Sequence, residues 1–258
     1  FYTFTSYKNS FLNLKKIIFF ELIFWLIIAY FSIPFLVLIK GLISFNLELL
    51  ISISFLKSLL NSLLVSFLSI IISILFTLSS LFVYRYFLEQ NLFFHKLIFL
   101  SISILLFIPS LSLSAMIFYL NFQINFMIDS LWIVSIINSL FITPIMFIFL
   151  SGKFTENYKI EFINIVLFKV SSVNRLIKID LPKIKYELIL ITATLFVLSL
   201  GDLTSVTIFN DSSFKTVPLY ISQLYSSYRY DDAFFILSIF ILLIFQIMYI
   251  PTKLIKNV

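Results

Sequence analysis

The run LLNSLLVSFLSIIISILFTLSSLFV, residues 59–83, carries no charged side chain from end to end. A helix needs about 20 consecutive apolar residues to cross the hydrocarbon core of a bilayer. A barrel strand would alternate apolar and polar positions, and this run does not. It is therefore expected to be a membrane-spanning helix.

Working outward, five further stretches have the same character. They run over about residues 17–39, 97–120, 131–150, 186–203 and 233–250. The whole chain of 258 residues is 61% hydrophobic and 12% charged. A soluble domain is about half apolar and about a quarter charged. The expected fold class is all-α: a polytopic membrane bundle of six transmembrane helices. Pro34, Pro109 and Pro144 fall inside spans and are expected to mark bends. Serine is abundant while glycine occurs only 3 times, so serine is expected to fill the close helix contacts.

The charges orient the spans. Of the 18 Lys and Arg residues, all but Lys40, Lys57, Lys215 and Arg229 fall on one side of the six-span arrangement. Basic loops mark the cytoplasmic side, so both termini are expected there. A five-span or seven-span arrangement would scramble that asymmetry. The net charge of +6 is absorbed by this pattern, and no nucleic-acid partner is expected.

Several chemistries lose their residues. There is no cysteine and only one histidine, His95, so thiolate and His-cluster metal sites are excluded. Gly41, Gly152 and Gly201 are far apart, and a phosphate-cradling loop needs clustered glycine with a lysine. No catalytic residue, cofactor or metal site is expected.

The one long loop on the basic side runs over about residues 151–185. Ile160, Ile163, Val166 and Leu167 recur at helical spacing. Ser171 and Ser172 offer a turn and an N-cap. Val173, Leu176 and Ile177 then form a second apolar stripe beside Arg175 and Lys178. Pro182 is expected to stop this second helix, with Leu181 biased away from helical geometry. Such a hairpin either packs on the bundle's own inner surface or docks into a partner's groove.

The loop resembles the signature of ABC importer permeases: Glu-Ala-Ala, three residues, Gly, nine residues, then Ile-x-Leu-Pro. Ile179-Asp180-Leu181-Pro182 matches the closing element. Ile163, Asn164 and Ile165 stand at the Glu-Ala-Ala positions and Lys169 at the Gly position, all as departures. The resemblance implies a coupling segment seated in a groove of a cytoplasmic ABC ATPase subunit, with Arg175 on that segment.

A narrower likeness lies further on. Leu198-Ser199-Leu200-Gly201-Asp202, then Phe214-Lys215-Thr216-Val217-Pro218-Leu219-Tyr220, then Ser227-Tyr228-Arg229 is similar to the C-terminal end of thiamine ABC transporter permeases. Val217 replaces their usual Leu, and Ser226 their usual Gly. The resemblance implies a permease domain over residues 1–258 in a bacterial inner membrane. Its implied partners are the ATPase, a periplasmic substrate-binding protein and a second permease half. This chain resembles the second half of a longer two-half permease, and an opening Phe1 in place of Met agrees with that expectation.

Gly201 and Asp202 are the candidate translocation-path residues. Thiamine carries a permanent positive charge, and a carboxylate in a partly dehydrated vestibule attracts it more strongly than one in water. The alternative is a helix-end carboxylate, hydrated or paired with Arg229. Gly201 fits either a close helix approach or a bend. Glu21 and Glu187 are expected at helix N-termini, where the dipole favours carboxylates. Tyr220, Tyr225, Tyr228 and Tyr230 read as an interfacial belt or as a lip for a delivering protein. Iron(III), phosphonate or polyamine cargo, a non-transporting scaffold and an ion-coupled carrier are the rival functions.

Overall fold

Continuous apolar sequence closes its backbone hydrogen bonds within each segment, because lipid offers no alternative partner. The computed structural model describes residues 10–124, 129–167, 172–209 and 214–256, and these are helical with short connections. The elements are α1 (Ser10–Ile43), α2 (Leu47–Ile51), α3 (Ile53–Gln90), α4 (Leu92–Ser103), α5 (Ser110–Ile124), α6 (Ser130–Leu167), α7 (Ser172–Arg175), α8 (Leu181–Leu200), α9 (Thr204–Ile208), α10 (Val217–Ser226) and α11 (Tyr230–Lys256). Five segments are long and apolar enough to cross a membrane, and a bent pair made of α4 and α5 makes six if it is counted as one.

The directions of the helices follow from their contacts. Ser69 donates to the Ser135 carbonyl at 3.0 Å, and Ser73 donates to the Ser139 carbonyl at 3.2 Å. Both numbers advance together, so α3 and α6 run parallel. The chain between them must return to the end from which α3 started. The α4–α5 pair makes that return through a bend of 92°. Third-span residues were expected in one helix. Instead, the helix tightens into a 3₁₀ turn at Ile104–Phe107 and breaks at Ile108 and Pro109. Ile108 has extended geometry (ψ 120°), as a residue before proline prefers.

The other two proline expectations fare differently. Pro144 lies inside α6 without ending it, and α1 runs unbroken through position 34. α1 and α11 pair antiparallel, with Phe35 stacked on Phe245 and Ser238 donating to the Leu38 carbonyl at 3.1 Å. Ser44 donates to the Asp231 carbonyl at 3.1 Å further along. Residues 10 and 256 therefore lie at the same end of the bundle.

Serine does fill the close contacts. Ser58, Ser62, Ser66, Ser69, Ser73 and Thr77 form one buried stripe on α3. Their spacing of three and four residues puts them on a single helix face. Small side chains let the α3 and α6 backbones approach, and the hydroxyls bond across the gap. Glycine performs this task once. A Cβ on Gly41 would fall 1.9 Å from the Ser238 hydroxyl and 2.2 Å from the Phe234 carbonyl oxygen.

Two apolar clusters stabilise the ends. Near Arg85, Leu81, Phe147, Leu150, Phe154 and Ile184 are buried together, and the cluster extends along α8 to Leu195. Near Tyr230, Phe55, Leu200, Val217, Phe235 and Ile236 form a second cluster. The α10–α11 turn closes the latter end with a left-handed residue. Tyr228 has φ 61°, the Arg229 N–H donates to the Leu224 carbonyl at 3.0 Å, and the Tyr228 N–H donates to the Tyr225 carbonyl at 3.1 Å. That is the Schellman arrangement, with tyrosine where glycine is favoured.

Candidate functional site

Asp202 follows the C-terminus of α8 and faces a cavity of about 200 Å³. Ser110 of α5, Asn138, Phe141, Ile142 and Ile145 of α6, and Leu198 and Ser199 of α8 complete its lining. The only ionisable group on these walls is the Asp202 carboxylate, and most of the remaining surface is apolar. A cation in such a place meets an attraction that bulk water would have screened.

The polar groups are tied together. The Asn138 side-chain amide donates to the Ser199 hydroxyl at 3.1 Å. The Ser205 hydroxyl lies 2.9 Å from the Asn138 carbonyl oxygen and also reaches the second carboxylate oxygen of Asp202. The first carboxylate oxygen accepts from the Thr204 N–H at 3.0 Å and from the Thr204 hydroxyl at 2.7 Å. Thr204 in turn bonds the Ser110 hydroxyl at 3.2 Å. One network thus joins α5, α6, α8 and α9 around the carboxylate. Asp202 does not pair with Arg229, which bonds Asp232 instead at 2.6 and 2.8 Å.

Gly201 has neither role expected of it. It has φ −80° and ψ −3°, ordinary for any residue, and it caps α8 after the last helical turn. A Cβ there would meet nothing closer than 3.7 Å. Asn138, Ser199, Ser205 and Ser110 were not singled out from the sequence. Asn138 is a buried amide inside an apolar span, and that alone signals a bonded network.

The segment from Ser151 to Lys185 differs from its expected form. No turn separates the first helix from the fourth span: α6 continues from Ser130 to Leu167. Ile163, Asn164 and Ile165 lie on its last turns, and Lys169 lies outside the described residues. Pro182 does not stop the second helix either. Residues 176–180 form a π-helical turn in which the Leu181 N–H donates to the Leu176 carbonyl five residues back. This wider turn precedes the proline ring, and Leu181 stays helical at φ −60° and ψ −45°. Pro182 then sits in the first turn of α8, directly after the π turn. α7, the π turn and α8 follow one another without a break from Ser172 to Leu200.

Arg175 points inward rather than outward. It is 4% exposed, Asp180 is 2% exposed and Arg85 is 4% exposed. Asp180 bonds Arg85 of α3 directly, and its carboxylate lies 3.8 Å from Arg175 Nε. Arg85 is also flanked by the Phe82 and Phe154 rings, each centred 5.4 Å from its guanidinium carbon. Buried charges need such partners, since removing one leaves the other stranded. Of the remaining segment residues, Ile177 and Lys178 are exposed, Ile179 is half-buried, and Leu181 packs on the core.

Smaller expectations are also corrected. Glu187 lies in the second turn of α8, not at its N-terminus, and one of its carboxylate oxygens is buried without a hydrogen-bond partner. Glu21 lies well within α1. His95 is stacked on Tyr84 at 3.8 Å between ring centres, with Nδ1 3.0 Å from the Tyr84 carbonyl oxygen. No protein-family model matches the chain, and no characterised protein matches its sequence.

Proposed function

We propose that this chain is the membrane domain of an ATP-driven importer and that its cargo is an organic cation of the thiamine class. The observation that carries the reading is the cavity of about 200 Å³ with a single carboxylate, Asp202, among apolar walls. A ring-bearing cation satisfies both parts of that wall, the apolar faces and the charge. The resemblance of residues 198–202, 214–220 and 227–229 to thiamine permeases supports the same cargo class.

In this reading the bundle works with six crossings in a bacterial inner membrane, its basic end inside the cell. A cytoplasmic ABC ATPase supplies the energy and meets the bundle at the end of α6 and the start of α7. A periplasmic binding protein delivers the cargo at the Tyr230 end, and a second permease half completes the path. The chain itself performs no covalent chemistry. Alternating access needs only two arrangements of one packed bundle.

The test is uptake of radiolabelled thiamine into vesicles holding the chain with its ATPase, binding protein and second half. ATP-dependent uptake is expected, falling about tenfold in Asp202→Asn, the loss that 1.4 kcal/mol of binding represents. Absence of ATP-dependent uptake overturns the transport reading. Uptake that survives Asp202→Asn unchanged overturns the cation site. A scaffold reading draws on the hydrogen bonds that Asp202 accepts within the protein. It gains support only if no tested solute moves while the ATPase still binds.

A further inference from the structure

Two clusters sit at opposite ends of the same helices. At one end Arg85 of α3 meets Asp180, at the root of α8, and Phe154 of α6. At the other end Asn138 of α6 meets Ser199 of α8 beside the cavity. The span between them is about 24 Å along α6 and about 28 Å along α8, at 1.5 Å per residue. Neither α6 nor α8 breaks between its two contact points. The packing between the clusters is tight, with Met146, Phe147, Leu150, Ile184 and Leu195 all fully buried. Packed interfaces of this kind shift between discrete arrangements rather than deform gradually.

We infer that Arg85 and Asp180 are positioning residues for the distant cavity: their contact fixes how far α8 stands along α3, which Ser69 and Ser73 tie to α6, and so whether Asn138 meets Ser199 and the cavity keeps its shape. The pair is suited to this task because it joins a helix root to a neighbouring helix through a charge contact between two buried side chains. The π turn adds to this. Its widened backbone lies directly before α8, and such turns recur at functional sites. Displacing Asp180 from Arg85 lets the root of α8 slide, and the unbroken helix carries the slide to Ser199.

The inference draws on the transport reading only for what the movement serves, and its test uses neither cargo nor ATPase. The chain has no cysteine, so Ile142→Cys places one thiol on the buried wall of the cavity. Its labelling rate by a water-soluble maleimide reports the cavity's closure in purified protein. Asp180→Asn and Arg85→Gln are each expected to raise that rate about fivefold, the factor that 1 kcal/mol makes. Arg85→Lys, which keeps a positive charge beside Asp180 and between the Phe82 and Phe154 rings, is expected to leave it near the parental value. Gly41→Ala, which loosens α1 from α11 away from the cavity, serves as a control of matched thermal stability. An unchanged rate in both single variants overturns the inference, as does an equal rise in the Gly41→Ala control. Should Asp180→Asn and Arg85→Gln fail to fold, Asp180→Glu decides, since it keeps the charge among Arg85 and Arg175 but lengthens the arm by one methylene: a raised rate supports the inference and an unchanged rate overturns it. A negative labelling result leaves the uptake assay untouched, and a failed uptake assay leaves the labelling result standing.

Discussion

Gly41 approaches Ser238 so closely that a methyl group on it would lie 1.9 Å from the serine oxygen. The nearest backbone atom, the Phe234 carbonyl oxygen, would be 2.2 Å away and cannot rotate aside. α1 has few other attachments, since only 6% of its apolar window is buried. Gly41→Ala is therefore expected to force α1 off α11. Overpacking of this kind costs about 1–3 kcal/mol. A lowered melting temperature in detergent, with weaker cross-linking between cysteines placed at Leu38 and Ser238, checks it.

Gly201 should behave in the opposite way. Its backbone is ordinary and a Cβ would have room. Gly201→Ala is expected to change stability by no more than about 0.5 kcal/mol, as for an open surface position. Uptake should persist at the parental rate. A strong loss of either would mean that the glycine has a role beyond closing α8.

Tyr228 holds a left-handed backbone conformation that glycine adopts without strain. Tyr228→Gly is expected to stabilise the protein by about 1 kcal/mol, the penalty an L-residue carries in that region. The tyrosine ring is 80% exposed, so little packing is lost with it. Thermal unfolding of the two forms gives the sign directly.

The Asn138 side chain bonds both Ser199 and Ser205. Asn138→Ala takes the amide partner from the buried Ser199 hydroxyl, while Ser205 keeps Asp202, and is expected to cost about 1–3 kcal/mol. Ser69→Ala, which removes one cross-helix hydroxyl, is expected to cost about 0.6 kcal/mol. Measuring both by denaturant unfolding tests whether the network or the serine stripe carries more of the α6 contacts.

Much of the bundle was legible in the chain because uncharged runs such as residues 59–83 have one stable form in lipid. The serine stripe on α3 also followed from composition, since so few glycines remain for close contacts. The breaks were harder to place. Pro109 ends a helix, Pro144 does not, and Pro182 is taken up by a π turn, yet all three look alike in sequence. What separates them is where the freed carbonyl finds a partner, and that depends on neighbouring helices. The loop from Ser151 was misjudged because Gly152 and a rise in polarity imitate a helix end. No residue there prevents α6 from continuing, and it does.

The site was half visible. Asp202 stood out as a carboxylate closing an apolar run, and it does line the cavity. Asn138 was passed over because one amide among apolar neighbours resembles a tolerated substitution. Arg175 was placed on the segment that the permease resemblance implies docks an ATPase, whereas its side chain is buried. Its partner Asp180 is five residues away in sequence, and the contact depends on the π turn. Arg85 reaches the same carboxylate from another helix altogether.

α6 runs as one helix from residue 130 to 167, through Pro144. Its length is about 57 Å at 1.5 Å per residue. A rod of that kind behaves as a seesaw: tipping it by about 5° carries each tip roughly 2.5 Å, in opposite senses. A push applied at the polar tip beyond residue 150 therefore reaches the tryptophan end, Trp132, with its direction reversed.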